Sequence, residues 1–326
     1  MMKTRLLALA ATAVLALTAC GTQTSSTDTA ANAASTTVMV EDNNGPHTLT
    51  VPLKSVVATD NRTFQTLSDW GIKLSAGAVA LMPATSAYKS DSSIVDLGNH
   101  REPNLEAVVA VEPDLIVNGQ RFAQYHDDFA KLSPKATVLE LDPREGEPFD
   151  AELKRQISVL GEVFGKQAEA KKLSSDFEAA IARVKASYKP ESKVMGVITS
   201  GGNINYSAPG NGRTLGPLFD ILGLTPALEV KDASTDHQGD DISVEAIAKS
   251  NPDWILVMDR DAAVSADDAA YKPANTLLEK SAALKNVTAT KNGNIVYMPA
   301  DTYTNESIQT YTKFLNSFAD ALEGKK

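Results

Sequence analysis

A single cysteine, Cys20, occurs in 326 residues, so no intrachain disulfide can form. Histidine is also scarce, at four residues. Binders of bare zinc or manganese need several histidines and carboxylates in a tight set, and four scattered histidines argue against that. The sequence has no Gly-x-Ser-x-Gly elbow, no His-Glu-x-x-His and no phosphate loop. The common hydrolase, metalloprotease and nucleotide-binding signatures are therefore missing. Gly201-Gly202-Asn203 and Gly210-Asn211-Gly212 read only as turn formers. Basic residues are in deficit, 31 against 41 acidic, for a net charge of −10. That balance argues against nucleic acid and against electrostatic adhesion to anionic lipid. The apolar stretch Leu6 to Leu17 is shorter than the roughly 20 residues a membrane-spanning helix requires.

That stretch has Lys3 and Arg5 before it and ends in Leu17-Thr18-Ala19-Cys20, which resembles the bacterial lipobox. The resemblance implies a lipoprotein signal peptide over residues 1–20, with Cys20 the lipidated first residue of the mature chain. Several acyl chains on one residue anchor stably where a single chain would not. Residues 21–37 are rich in Thr, Ser, Ala and Asn with no apolar period, the composition of a flexible tether. Without Lys3 and Arg5 the basic count is 31 − 2 = 29 against 41 acidic, a charge of −12. Any cluster of arginines thus runs against the global sign. From Val38 onward about 290 residues remain, room for two domains.

Those residues contain a repeat. Asn104-Leu105-Glu106-Ala107-Val108 through Glu112-Pro113-Asp114-Leu115-Ile116-Val117 parallels Ser243-Val244-Glu245-Ala246-Ile247 through Asn251-Pro252-Asp253-Trp254-Ile255-Leu256, at a constant offset of 243 − 104 = 139. The same offset carries Arg121 onto Arg260. Each copy opens on a good N-cap, Asn104 or Ser243, and a short helix follows. Pro113 and Pro252 end it, because proline lacks an N–H and its predecessor avoids the helical region. The apolar runs after them suit strands buried on both faces of a parallel sheet. Ligands of open α/β sheets bind beyond the carboxyl ends of strands, where Arg121 and Arg260 fall. A weaker echo places Arg62-Thr63 before Leu67 to Ile72 and Arg213-Thr214 before Leu218 to Leu224, each a loop arginine and then a short helix with a glycine stop.

Val38–Val40 and Thr48–Val51, around Asn43-Asn44-Gly45-Pro46, predict a hairpin. Strands are expected at Val56–Thr59, Ala76–Ala80, Leu115–Val117 and Val138–Leu141, then at Lys193–Thr199, Trp254–Met258 and Ile295–Met298, with a closing helix from Ser307 to about Leu322. Between the two sets lies a helical stretch. Leu153, Ile157, Leu160 and Phe164, then Leu173, Phe177, Ile181 and Val184, recur at three-to-four spacing, and Gly161 and Gly165 argue against one unbroken helix. The organisation is therefore α/β. Two Rossmann-like lobes from an internal duplication, residues 38–148 and 191–326, are joined by a helical connector, 149–190, with the ligand cleft between them. A helical connector predicts modest closure rather than a wide hinge swing.

With the lipobox, Glu102-Pro103-Asn104-Leu105-Glu106, both Pro-Asp strand starts, the connector and Gly119-Gln120-Arg121, the chain resembles the helix-linked class of substrate-binding lipoproteins of ABC importers. These carry iron–siderophores, haem or vitamin B12, and the similarity is greatest to the ferric catecholate subgroup. The resemblance implies that Arg121, Arg213 and Arg260 converge on the iron complex. The chemistry is coherent, since guanidinium groups present several directed donors to a polyoxygen anion. It also implies that His237 and Tyr303 fill open iron positions when a siderophore supplies only four donors. The bland readings are a loop histidine and a pocket-wall tyrosine. Arg62 takes a lesser pocket role. His100 and Arg101 lie in a loop that is either cleft or solvated, and His47 and His126 read as surface residues. Glu106 and Glu245, a matched pair, are implied to dock one lobe onto each subunit of an ABC permease dimer. Read singly, each is a first-turn acid favoured by the helix dipole.

The resulting expectation is a receptor, not an enzyme. It is a monomer with no cofactor, lipid-anchored through Cys20 alone on the extracytoplasmic face, that captures a ferric siderophore and delivers it to the permease. Haem or corrinoid binding on the same fold is the principal alternative. An extracytoplasmic enzyme or a purely adhesive lipoprotein are the others.

Overall fold

The computed structural model describes residues 35–325. The signal peptide, Cys20 and most of the tether lie outside the described residues. No helix among the described residues is long and apolar enough to cross a membrane.

The chain opens with the hairpin β1 (Thr36–Asp42) and β2 (Gly45–Val51), paired so that Asp42 faces Gly45 across an Asn43-Asn44 turn. Its first strand starts at Thr36, inside the stretch expected to be tether. The buried Asp42 carboxylate seats the hairpin on the first sheet by accepting from the Glu140 N–H at 2.8 Å. His47 lies 3.0 Å from Asp42, and His126 packs against Asn44 at 3.2 Å. Both histidines are half-buried at this junction rather than free on the surface.

The first sheet holds β3 (Val56–Ala58), β4 (Ala76–Gly77), β5 (Val95–Asp96), β6 (Leu115–Asn118) and β7 (Thr137–Glu140), in the order β5-β4-β3-β6-β7, all parallel. The second holds β8 (Lys193–Ser200), β9 (Asn203–Ser207), β10 (Thr225–Pro226), β11 (Trp254–Asp259) and β12 (Ile295–Tyr297). Its parallel path is β10-β8-β11-β12, with β9 antiparallel on β8. The expected Ala76–Ala80 strand is shorter, because a 3-10 turn takes over at Val79–Leu81.

The sequence repeat is matched in details of backbone chemistry. Asn104 caps the helix Leu105–Ala110 by accepting from the Ala107 N–H, and Ser243 caps Val244–Ser250 by accepting from Ala246. Glu112 and Asn251, again 251 − 112 = 139 apart, both take a left-handed turn, φ 45° and 46°. The aspartates that follow the two prolines clamp the adjoining strands: Asp114 accepts from the Ser55 N–H at 3.1 Å, and Asp253 from the Lys193 N–H at 2.8 Å.

The connector is two helices, Phe149–Phe164 and Gln167–Ser187. Gly165 ends the first in the left-handed region, φ 65°, where glycine carries no steric penalty. Gly161 stays helical but sits where the two helices touch, since a Cβ there would come 2.7 Å from the Ala170 Cβ. Leu153 and Ile157 belong to the core of the second half, and Val159, Leu160 and Val163 to that of the first. One helix therefore contributes to a core on each side. The last helix, Ile308–Leu322, is capped by Ser307 and packs on Gln167–Ser187, with Arg183 paired to Asp320 at 2.6 Å and Glu323 at 2.9 Å.

Candidate functional site

Four strand ends feed one cavity. Arg121 lies in the 3-10 turn Gln120–Tyr125, directly after β6. Arg260 opens the short helix Arg260–Val264, directly after β11. Arg213 lies between β9 and the helix Gly216–Leu222, and Tyr303 in the 3-10 turn Thr302–Thr304 beyond β12. The turn before Arg213 needs Gly212, because a Cβ there would come 2.6 Å from the Ala208 carbonyl. The cavity measures about 240 Å³, and its walls include these four residues with His100, Arg101 and His237.

Tyr303 is the centre. It is only 3 % exposed. The guanidinium carbons of Arg121, Arg213 and Arg260 each lie 4.9 Å from its ring centroid. Each is within the range of a cation–π contact. Arg121 Nη2 also donates to the Tyr303 hydroxyl at 2.6 Å. The His237 ring lies 6.2 Å from the Tyr303 ring, and the histidine is 45 % exposed. Its pKa is lowered, by desolvation first and then by Arg260, Arg213 and Arg121 acting against the pull of Asp236. The shift favours the neutral imidazole of His237. The pKa of His100 is lowered too, by desolvation and by Arg121 and Arg101.

The arginines are not equivalent. Arg213 pairs with Glu306 at 2.9 Å, and Arg260 with Asp261 at 3.1 Å. Arg121 and Arg101 have no carboxylate within ion-pair distance among the described residues. The uncompensated positive charge of the cavity therefore lies on the first half. Desolvation would lower the Arg213 pKa, but Glu306 outweighs it and raises it.

Arg62 departs from expectation. It lies outside the cavity wall and pairs with Asp142 at 3.0 Å, with Glu306 at 3.9 Å. Its echo of Arg213 stops at the loop, because its guanidinium pairs with Asp142 and makes no contact with the Tyr303 ring. Sequence reasoning did not single out Glu306, Asp142 or Asp261. Nothing local distinguishes them among 41 acidic residues. Glu106 and Glu245 both stand exposed in the first turns of their equivalent helices.

Residues 56–302 match the family model for periplasmic binding proteins. The chain belongs to that family. Among relatives of this periplasmic binding protein, petrobactin-binding protein YclQ of Bacillus subtilis is 28 % identical over 99 % of the chain and 100 % of its own length. Ferric-anguibactin-binding protein FatB of Vibrio anguillarum is 28 % identical over 82 % of the chain and 81 % of its own length. In structure, the catecholate-siderophore binding protein VctP of Vibrio cholerae superposes with a TM-score of 0.73 at 23 % identity, covering 89 % of this chain and 100 % of that one. These relatives are substrate-binding proteins, and the fold match agrees with two sheets built on parallel strand paths.

Proposed function

We propose that this chain is an extracytoplasmic receptor that captures an anionic ferric siderophore in the arginine-lined cavity and hands it to an ABC permease. The observation that carries the reading is the convergence of three guanidinium groups on one phenol ring at 4.9 Å. Three cations held together in a partly desolvated site repel one another, and an anionic complex relieves that repulsion where an apolar ligand does not. Arg121, Arg213 and Arg260 supply the charge-assisted donors, and Arg101 and His100 line the mouth. His237 and Tyr303, neighbours on one wall, complete the iron coordination of a ferric complex that brings only four donors. A cavity of about 240 Å³ is small for a whole ferric complex, so the ligand is gripped by one face and stands partly in the cleft mouth.

In the same reading the chain is anchored through lipidated Cys20 and works as a monomer. Glu106 and Glu245, exposed on equivalent helices, meet the two permease subunits. The transporter, not this chain, uses ATP.

The test is a calorimetric titration with ferric bis- and tris-catecholates, a ferric hydroxamate, haem and cobalamin, with visible spectra recorded alongside. Submicromolar affinity for ferric catecholates alone is the expected result. Binding of haem or cobalamin alone would keep the transport role and overturn the ligand.

A further inference from the structure

Beneath the arginines lies a carboxylate that no part of the reading above uses. Glu306 is 1 % exposed. It sits just before the N-cap of the last helix and accepts from the turns that carry two of the cavity arginines. From the second half come Arg213 Nη2 at 2.9 Å, Arg213 Nε at 3.3 Å and the Thr214 hydroxyl at 2.5 Å. From the first half comes the Gln120 side-chain amide at 2.9 Å, while the Arg62 guanidinium, 3.9 Å away, adds charge without a hydrogen bond. Desolvation pushes its pKa up, yet Arg213 and Arg62 prevail and hold it down at about 2.

Two of these donors have unusual backbones. Gln120 has φ 54° and Thr214 has φ 66°. The left-handed region is unfavourable for side chains with a Cβ, and for a β-branched residue it marks a genuine outlier. Such conformations persist only where surrounding contacts over-determine them. Gln120 immediately precedes Arg121, and Thr214 immediately follows Arg213. The strained residue beside each of these two arginines thus has its side chain bonded to the same carboxylate. The Gln120 turn has a second tie, its N–H donating to Asp142 at 2.6 Å.

We propose that Glu306 is the positioning residue of the site. It holds the two strained turns from beneath, fixes Arg213 directly and Arg121 through Gln120, and so aims both guanidinium groups at Tyr303 before any ligand arrives. The proposal deepens the ligand reading above, and only its affinity arm depends on that reading.

The experiment uses Glu306→Gln in the purified full-length chain, which keeps the shape but turns one acceptor oxygen into a donor facing donors. 15N NMR of the uniformly labelled ligand-free protein, with the Arg213 Nε–H assigned by Arg213→Ala, reads that group and the sheet amides together. The Nε–H is expected to exchange slowly in the parent and fast in Glu306→Gln, with the sheet amides unmoved. Equal exchange in both overturns the proposal.

In the affinity arm, a ferric tris-catecholate is titrated by calorimetry. Glu306→Gln is expected to weaken binding about ten-fold alone and about as much in an Arg260→Ala background, but three-fold or less in an Arg213→Ala background. Equal loss in both backgrounds means general loosening and overturns it. A parent that binds no ferric catecholate defeats the ligand reading instead, and the NMR arm then decides Glu306. Should Glu306→Gln not fold, Glu306→Asp, which keeps the charge and shortens the reach, is read in the same way.

Discussion

Arg121 donates to the hydroxyl of Tyr303, 182 residues further along the chain, at 2.6 Å. The bond links the turn after β6 to the turn after β12, and so ties a turn of the first sheet to a turn of the second. Tyr303→Phe keeps the ring beneath the three cations and removes only the hydroxyl. Affinity for a ferric tris-catecholate should change by less than about three-fold, since the retained ring keeps contacts of ~0.5–1 kcal/mol or more each. A ferric bis-catecholate should lose more, and its charge-transfer band should revert toward that of the free complex. Equal losses for the two ligands would remove the hydroxyl from the metal.

Arg121→Ala should weaken ferric catecholate binding more than Arg260→Ala. A charge-assisted contact is worth about 1.5–3 kcal/mol. Arg260 already shares its charge with Asp261 at 3.1 Å, whereas Arg121 has no carboxylate partner among the described residues. Calorimetry at low and high salt should show the salt dependence fall further for Arg121→Ala. Unchanged affinity in both variants would refute the site.

Stability should peak on the acid side of neutrality. Glu306 has its pKa held at about 2. A depressed carboxyl stabilises the fold above its unfolded pKa of roughly 4.3, and that contribution is lost as pH falls toward the folded value. Asp60 is pushed up to about 8 by burial and by Asp142, and Glu140 to about 7 by burial. Raised carboxyls hold protons in the folded state that the unfolded chain has released, so stability falls as pH climbs from about 4 to 8. Thermal melting from pH 3 to pH 9 should show a maximum near pH 5, and Asp60→Asn should flatten the decline above it. A flat parent profile over that range would count against the assignment.

Gly161→Ala tests the connector. Helix propensity alone favours alanine by roughly 0.5–1 kcal/mol. The new methyl would lie 2.7 Å from the Ala170 Cβ, where neither side chain can move aside. Overpacking costs about 1–3 kcal/mol, so the variant should be less stable by urea denaturation. A more stable variant would show that the two helices can separate freely.

Glu106→Arg and Glu245→Arg should each abolish uptake of the ferric ligand by cells while leaving its affinity for the purified receptor within about two-fold. Both side chains are exposed on equivalent helices, and neither lines the cavity. Normal uptake with both charges reversed would end the docking role.

Much of the architecture was legible because it is local or repeated. Apolar runs, N-caps, the proline stops and the 139-residue offset are properties of short segments, and they located the longer parallel strands, though not the two-residue edge strands β5 and β10, together with the two-part connector and the strand-end positions of Arg121 and Arg260. The cavity residues His237 and Tyr303 were legible through family resemblance. The carboxylates were not. Glu306 acquires its importance only when Gln120, Arg213 and Thr214 arrive beside it from distant parts of the chain. Arg62 and Arg213 look alike in sequence, but one pairs with Asp142 away from the cavity wall and the other lies over the Tyr303 ring. The chain by itself determined which segments form strands and helices, because hydrophobic period, caps and prolines act within a few residues. Only the tertiary structure decided which charges meet and which stay free in the cleft, because Coulomb forces and desolvation depend on distances that the fold alone sets.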